Sequence, residues 1–197
     1  MVAKINFKIY QGATFEQVLR WESETKVYVP ITNITKSAPV AITVSDATKL
    51  PPIGWRARVT NVSGMKEINM AGDSYELLTA VEGNTVTLNQ INSLAYTTYT
   101  SGGVLEYNSP VSLAGYTARM QIKAKAKDAT PLVTLTTENG GILLDNTLKT
   151  ITLNISASST AGLDFTQAVY DLELISGSGV VKRFAEGSIS LKQEITK

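Results

Sequence analysis

The sequence contains no cysteine and no histidine. Without cysteine, the chain cannot form disulfides, thiolate metal sites or a cysteine nucleophile. Without histidine, it lacks the side chain that most often serves as a general base near neutral pH, and also the commonest transition-metal ligand. These two absences exclude a Ser-His-Asp triad and a histidine-bearing zinc site. We therefore predict that the chain is not an enzyme and has no catalytic residue, no cofactor and no metal site.

Long apolar runs and long basic runs are also missing. No stretch approaches the ~18 apolar residues of a membrane helix, so we expect no membrane partner. The 197 residues carry a net charge of +1, and we expect no nucleic-acid partner because phosphate backbones attract clustered positive charge. The one local basic cluster, Lys123, Lys125 and Lys127, is interpreted as a solvated strand end or loop.

Alternation of apolar and polar residues dominates what the sequence does contain. The clearest run has Tyr116, Ala118, Met120 and Ile122 alternating with polar residues, which is typical of a strand with one buried and one wet face. Turn residues fall between such runs and predict an antiparallel β-sandwich or barrel. Similar runs occur around residues 5–9, 40–44, 55–59, 85–88, 150–155 and 169–174.

Two glycine-containing segments predict hairpins. Residues 82–84 separate two alternating runs, and Gly177-Ser178-Gly179 separates two others, where glycine supplies the backbone freedom of a tight reversal. The second segment lacks the third glycine and the following helix of a dinucleotide-binding loop. Residues 15–21 fit a strand better than a helix, while residues 158–165 can form at most a short helical turn.

Prolines suggest how the chain is divided. Pro30 follows one alternating run, and Pro110 precedes another, as suits a crossing between modules. The segment between them has its own hairpin and differs in composition. We therefore predict an inserted small β domain at residues 31–108, within a host domain formed by residues 1–30 and 109–197.

Two alternatives concern binding and catalysis. The acidic residues Glu22, Glu24, Asp171 and Glu173 could in principle contribute a carboxylate pair, but they lie on the predicted wet faces of strands, where acids are expected anyway. Tyrosines at positions 96, 99 and 107 could form a sugar-binding surface, or could be half-buried strand and loop residues with satisfied hydroxyl groups.

Two groups of segments resemble known families. The first comprises residues 10–15, 19–21, 110–122, 141–142, 150–153, 169–174 and 180–187, including Leu113-x-Gly115-Tyr116-x-Ala118-Arg119-Met120. It resembles the immunoglobulin-like domain of phage baseplate and tail proteins, of the baseplate upper protein N-terminal type. In that family the strand with this motif follows the first strands closely, so its displacement here agrees with an insertion.

The inserted segment resembles a second family. Residues 54–69, Tyr75, residues 84–88 and residues 99–103 are similar to the FCCH-type β domain named after ubiquitin-activating enzymes. This resemblance implies fold only. Together, the two resemblances imply an all-β protein: an immunoglobulin-like antiparallel β-sandwich with an inserted small β-barrel or sandwich.

The resemblances also imply a role. They predict a structural protein of a phage virion, assembled in the bacterial host cytoplasm and acting as an adaptor in the tail, collar or baseplate. Its partners would be other virion proteins, such as tail, collar or fibre subunits, and it would be a homo-oligomer in the particle. The alternatives are a host-surface module that binds carbohydrate and a capsid decoration protein.

Overall fold

A computed structural model of the chain describes residues 2–195. They divide into two compact units. Unit 1 combines the described residues up to Arg20 with those from Ser112 onward, and unit 2 is Trp21–Val111. The regular secondary structure of both units is almost entirely β-strand, which confirms the predicted all-β fold. No helix in the described part of the chain is long and apolar enough to cross a membrane.

The strands follow one another with few helical interruptions. The only α-helix within residues 2–195 is α1 (Ala157–Ala161), and two short 3₁₀ turns occur at Ala47–Lys49 and Lys66–Ile68. The strands are β1 (Ala3–Lys4), β2 (Phe7–Tyr10), β3 (Phe15–Arg20), β4 (Glu22–Thr35), β5 (Val40–Val44), β6 (Arg56–Ser63), β7 (Glu76–Glu82), β8 (Thr85–Leu88), β9 (Ser101–Pro110), β10 (Thr117–Lys123), β11 (Val133–Thr136), β12 (Ile142–Asp145), β13 (Thr150–Ile155), β14 (Gln167–Ile175) and β15 (Val181–Lys192).

Unit 1 is a sandwich of two sheets. The larger has the order β1-β15-β14-β10-β11, with β2 also paired to β15, and the smaller has the order β12-β13-β3. All neighbours are antiparallel except β1 and β2, which run parallel to β15. The ring of Phe7 in the larger sheet lies 5.8 Å from that of Phe15 in the smaller one. The inner faces are buried because alternate apolar side chains point between the sheets. The predicted β-sandwich is therefore present in unit 1.

The first strands of unit 1 approach β15 very closely at one glycine. A Cβ atom on Gly187 would lie 1.9 Å from the carbonyl oxygen of Ile5, and the Ile5 amide donates to the carbonyl of Glu186 at 3.0 Å. Tyr170 lies opposite Gly187 on β14, and its hydroxyl donates to the Ile5 carbonyl at 2.8 Å. Glycine is therefore required here so that the N-terminal backbone can reach the sheet.

Unit 2 is a closed barrel with the order β4-β5-β8-β7-β6-β9. Its interior is filled by apolar side chains, as expected for a barrel of few strands. The largest of them is Trp55, which is fully buried and donates its indole N–H to the carbonyl of Asn108 at 2.9 Å. Around it pack Val29, Ile42, Val59, Met65, Leu78, Leu88 and Leu105.

The boundaries of unit 2 differ from the predicted 31–108. Strand β4 continues through Pro30, which lies opposite Val104 of β9, and β9 continues to Pro110. Pro30 therefore lies within a barrel strand and away from the junction before Trp21, whereas Pro110 ends β9 next to the junction after Val111. Pro30 is tolerated because it precedes the first pair of β4 with β5, Ile31 opposite Val44, so the ladder needs no N–H from it there. On that side its carbonyl accepts the amide of Ser45 at 2.9 Å.

Several local predictions are confirmed. Residues 15–20 form strand β3, and the segments around Gly83 and Gly177–Gly179 connect the antiparallel pairs β7–β8 and β14–β15. The predicted helical turn corresponds to α1, whose Ser156 side chain caps the first turn. The hydroxyl of Thr160 on α1 donates to the carbonyl of Ala13 at 2.8 Å, which fixes the turn against the loop before β3.

Candidate interaction surfaces

The carboxylates considered in the sequence do not form a cluster. Glu22 in unit 2 accepts two hydrogen bonds of 2.7 Å from Arg56. In unit 1, Glu173 accepts from Arg119 at 2.7 Å, and Asp171 lies 3.0 Å from Arg183. Glu24 is exposed on β4. Three of the four acids are thus held in cross-strand ion pairs, which contribute up to about 1 kcal/mol each at such surface positions.

The three tyrosines of the predicted sugar-binding alternative pack against the barrel. Tyr107 is buried, and its hydroxyl donates to the carbonyl of Lys49. Burial raises the pKa of Tyr107 to about 12. Tyr96 and Tyr99 are partly buried against the same core, and the Tyr99 hydroxyl donates to Gly102 at 2.9 Å. Tyr99 and Tyr107 match the interpretation as packed residues with satisfied hydroxyls, and Tyr96 matches it in its partial burial.

A buried carboxylate in unit 2 was missed by sequence reasoning. Glu106 is 4% exposed, although its neighbours Leu105 and Tyr107 are also buried. Both of its oxygens accept from Arg58 at 2.9 Å, and one also accepts from Lys26. Burial is the largest single influence on this group and opposes ionisation, but the bonds from Lys26 and Arg58 together outweigh it and lower the pKa of Glu106. In the sequence, Leu105-Glu106-Tyr107 alternates like a strand with one wet face, so no local signal marked Glu106 as buried.

Two guanidinium groups cover this part of the barrel together with one aromatic ring. Arg56 and Arg58 lie 5.2 and 5.6 Å from the centre of the Tyr75 ring, within the range of cation–π attraction. Because Arg56 also binds Glu22 and Arg58 also binds Glu106, the two ion pairs and the ring form one polar network. We interpret this network as stabilising the barrel wall.

The outer face of the larger sheet in unit 1 forms an open groove of about 510 Å³. One row of its floor crosses four strands: Gln121 on β10 lies opposite Asp171 on β14, which lies opposite Glu186 on β15, which lies opposite Lys4 on β1. Lys123 lies opposite Val169 in the next row. The groove is therefore polar and mixed in charge.

The basic cluster identified in the sequence borders this groove. Lys123 is the last residue of β10 and lines the groove together with Ala126. Lys125 and Lys127 lie in the exposed loop that follows. The cluster does occupy a strand end and loop, as predicted, but the sequence alone could not show that a concave surface lies beside it.

Unit 1 also has open sheet edges. In the smaller sheet, β12 and β3 are the outer strands, and β11 ends one side of the larger sheet. On the outer face of the smaller sheet, Leu143, Thr152 and Val18 form one row across the three strands. Leu143 is 57% exposed and Val18 is 38% exposed. Outer strands carry unpaired main-chain groups and are natural places for another chain to add.

Comparisons with known proteins give no assignment. No protein-family model matches the chain, and no curated protein sequence matches it. Within the described residues, no group of three acidic side chains is arranged to hold a metal ion.

Proposed function

We propose that this chain is a structural component of a phage virion, where it acts as an adaptor in the tail, collar or baseplate and joins neighbouring virion proteins or fibres. The observation that carries the adaptor role is the open edge of the smaller sheet in unit 1, with its exposed apolar row. The virion setting is supported by the resemblance of unit 1 segments to the immunoglobulin-like domain of phage baseplate and tail proteins.

The proposed mechanism is assembly through the sheet. A strand of a neighbouring subunit adds to an outer strand through main-chain hydrogen bonds, while alternate side chains select the partner. Leu143 and Val18 supply apolar area on the adjoining face. Because virion rings are symmetric, we expect several identical copies to make the same contact in the particle.

A non-enzymatic role agrees with the side chains at hand. The chain has no histidine or cysteine, and three of the four acids considered for catalysis are held by arginines. Ion-paired acids on strand faces are common structural elements. We therefore propose that the chain contributes surfaces and not chemistry.

The first test is the presence of the protein in purified phage particles, measured by mass spectrometry. Cryo-electron microscopy of the same particles would give its position, and density on the capsid surface would favour the decoration alternative. Absence from the particles would contradict the virion proposal.

The second test concerns the open edge. We expect Leu143→Lys to reduce incorporation into particles, because a charge would be buried at the new contact. Leu94→Lys is the matched control, since Leu94 in unit 2 is 60% exposed and Leu143 is 57% exposed. Equal incorporation of both variants would show that the smaller sheet is not the contact.

A further inference from the structure

The groove on the larger sheet of unit 1 contains positive charge that the protein itself does not neutralise. Its two acids share one partner, because Arg183 lies 3.0 Å from Asp171 and 3.5 Å from Glu186. Lys4 and Lys123 also line the groove, and neither forms an ion pair with any described residue. The ammonium groups of Lys4 and Lys123 are therefore available to pair with a ligand.

The loop beside the groove adds to this charge. Lys125 and Lys127 are exposed there, and neither has an ion-pair partner in residues 2–195. Asp128 is engaged by the loop itself, since its carboxylate accepts the amide of Lys125 at 2.9 Å. The groove and its loop together hold an excess of two positive charges, whereas the whole chain has a net charge of only +1. The residues counted are Lys4, Lys123, Lys125, Lys127 and Arg183 against Asp128, Asp171 and Glu186.

We propose that this groove binds an acidic, extended polypeptide segment of a partner subunit, whose carboxylates pair with Lys4, Lys123 and the lysines of the adjoining loop. The volume of about 510 Å³ is in the range of clefts that enclose ligands of a few side chains. Field lines concentrate in such clefts, so charges lining a concave surface attract a ligand more strongly than isolated surface charges do.

The floor of the groove favours a peptide over a nucleic acid. Asp171 and Glu186 lie in the middle of the floor row, where a peptide can offer main-chain N–H donors to their carboxylates, whereas a phosphate backbone has no such donor. A peptide can also place one carboxylate over Lys4, at one end of that row, and another over Lys123 in the next row. Gln121 is exposed on the same row and offers both a hydrogen-bond donor and an acceptor.

This inference deepens the proposed assembly role and rests on it only for the source of the segment. The test uses the purified full chain and three fluorescein-labelled probes: a deca-glutamate peptide, a deca-lysine peptide and single-stranded oligo-dT. Binding is measured by fluorescence anisotropy at low and at physiological salt. We expect deca-glutamate to bind best and to weaken as salt is added, because the contacts are exposed ion pairs.

Charge reversal locates the binding. The double variant Lys4→Glu/Lys123→Glu should weaken deca-glutamate binding at least about ten-fold, because it removes two pairs and adds repulsion. Lys36→Glu/Lys66→Glu is the control: it makes the same charge change at exposed lysines of unit 2 and should lower the affinity less than about two-fold through net charge alone.

Three results would overturn the proposal: no binding of deca-glutamate, equal loss in both double variants, or tighter binding of oligo-dT. The proposed virion role stands or fails separately, by mass spectrometry of particles. If the protein is present in particles but does not bind the acidic peptide, the virion role is supported and peptide binding in the groove is contradicted. If the protein binds the acidic peptide but is absent from particles, peptide binding in the groove is supported and the virion role is contradicted.

Discussion

The six strands of unit 2 close on themselves, whereas the two sheets of unit 1 end in outer strands. Unit 2 fills its interior around one fully buried tryptophan and covers part of its wall with a buried ion network. Unit 1 places its charges on exposed strand faces and leaves an apolar row uncovered on its smaller sheet. A barrel has no edge to offer a partner, so we propose that unit 2 provides scaffold stability and that unit 1 provides the recognition surfaces.

The largest expected effect comes from emptying the barrel. Trp55→Ala should lower the free energy of unfolding by about 3–5 kcal/mol, because it removes a large buried side chain and leaves a cavity. Both tryptophans of the chain, Trp21 and Trp55, lie in unit 2. Urea unfolding of this variant is followed by the fluorescence of Trp21, the first residue of unit 2.

Hydrogen exchange of unit 1 completes this test. We expect the amides of Leu172 and Leu174, in the core of unit 1, to keep their protection in Trp55→Ala under native conditions. Leu77→Ala is the control, since Leu77 is 54% exposed and its loss should change stability by less than about 0.5 kcal/mol. Equal loss of protection in both units would show that their stabilities are not separate.

A second prediction compares a buried with an exposed carboxylate. Glu106→Gln should destabilise unit 2 by about 1.5–3 kcal/mol, because hydrogen bonds to a charged group are lost and Arg58 keeps its charge without a counter-ion. Glu173→Gln in unit 1 removes a pair whose Arg119 side chain is 56% exposed, and should cost less than about 1 kcal/mol.

The lowered pKa of Glu106 predicts the direction in which folding stability changes with pH. The pKa of Glu106 is lowered from its ordinary 4.5 in the folded protein, so the unfolded chain takes up the proton more readily. Its stabilising contribution is full above about pH 4.5 and is lost as the pH falls through the lower folded value. Glu106→Gln should lack this acid-dependent part of the stability curve. An unchanged acid limb in Glu106→Gln would mean that other groups produce it.

A third prediction probes the N-terminal strands of unit 1. Gly187→Ala should destabilise the protein by about 1–3 kcal/mol, since the added carbon would overlap the Ile5 carbonyl and force the backbone to move. Faster hydrogen exchange at the Ile5 amide would locate the damage. Gly162→Ala is the matched control, because its nearest heavy atom would lie 3.7 Å away, and it should be nearly neutral. Similar losses in both variants would rule out the overlap as the cause.

Much of the fold followed from local pattern. The alternation of residues 116–122 predicted β10, and the segments rich in glycine predicted the hairpins β7–β8 and β14–β15. However, the local pattern does not specify which strands that are distant in sequence pair with each other. The parallel docking of β1 and β2 on β15 depends on contacts between the two ends of the chain, and no alternation within either end specifies it.

The unit boundaries and the surfaces were harder to predict for the same reason. Pro30 looked like a junction because proline usually ends strands, yet the pairing of β4 with β9 carries the strand past it. The burial of Glu106 could not be predicted locally, because Lys26 and Arg58, which hold its carboxylate, are distant from it in sequence. The groove likewise requires four strands and a loop to be brought together.

The smallest expected effect compares one hydroxyl in each unit. Tyr107→Phe removes the bond to Lys49 in unit 2, and Tyr170→Phe removes the 2.8 Å bond to Ile5 in unit 1. Each should cost about 1 kcal/mol, the usual net worth of a hydrogen bond. Burial raises the pKa of both tyrosines above the ordinary 10.0, so their neutral forms stabilise the fold, and that contribution falls as the pH rises above 10.

Only Tyr107→Phe should shift the unfolding midpoint seen by tryptophan fluorescence, because both tryptophans lie in unit 2. Only Tyr170→Phe should speed hydrogen exchange at the amide of Ile5. If either variant changed both signals equally, the two units would unfold as one cooperative structure. The proposed division, with stability in unit 2 and recognition in unit 1, would then lose its physical basis.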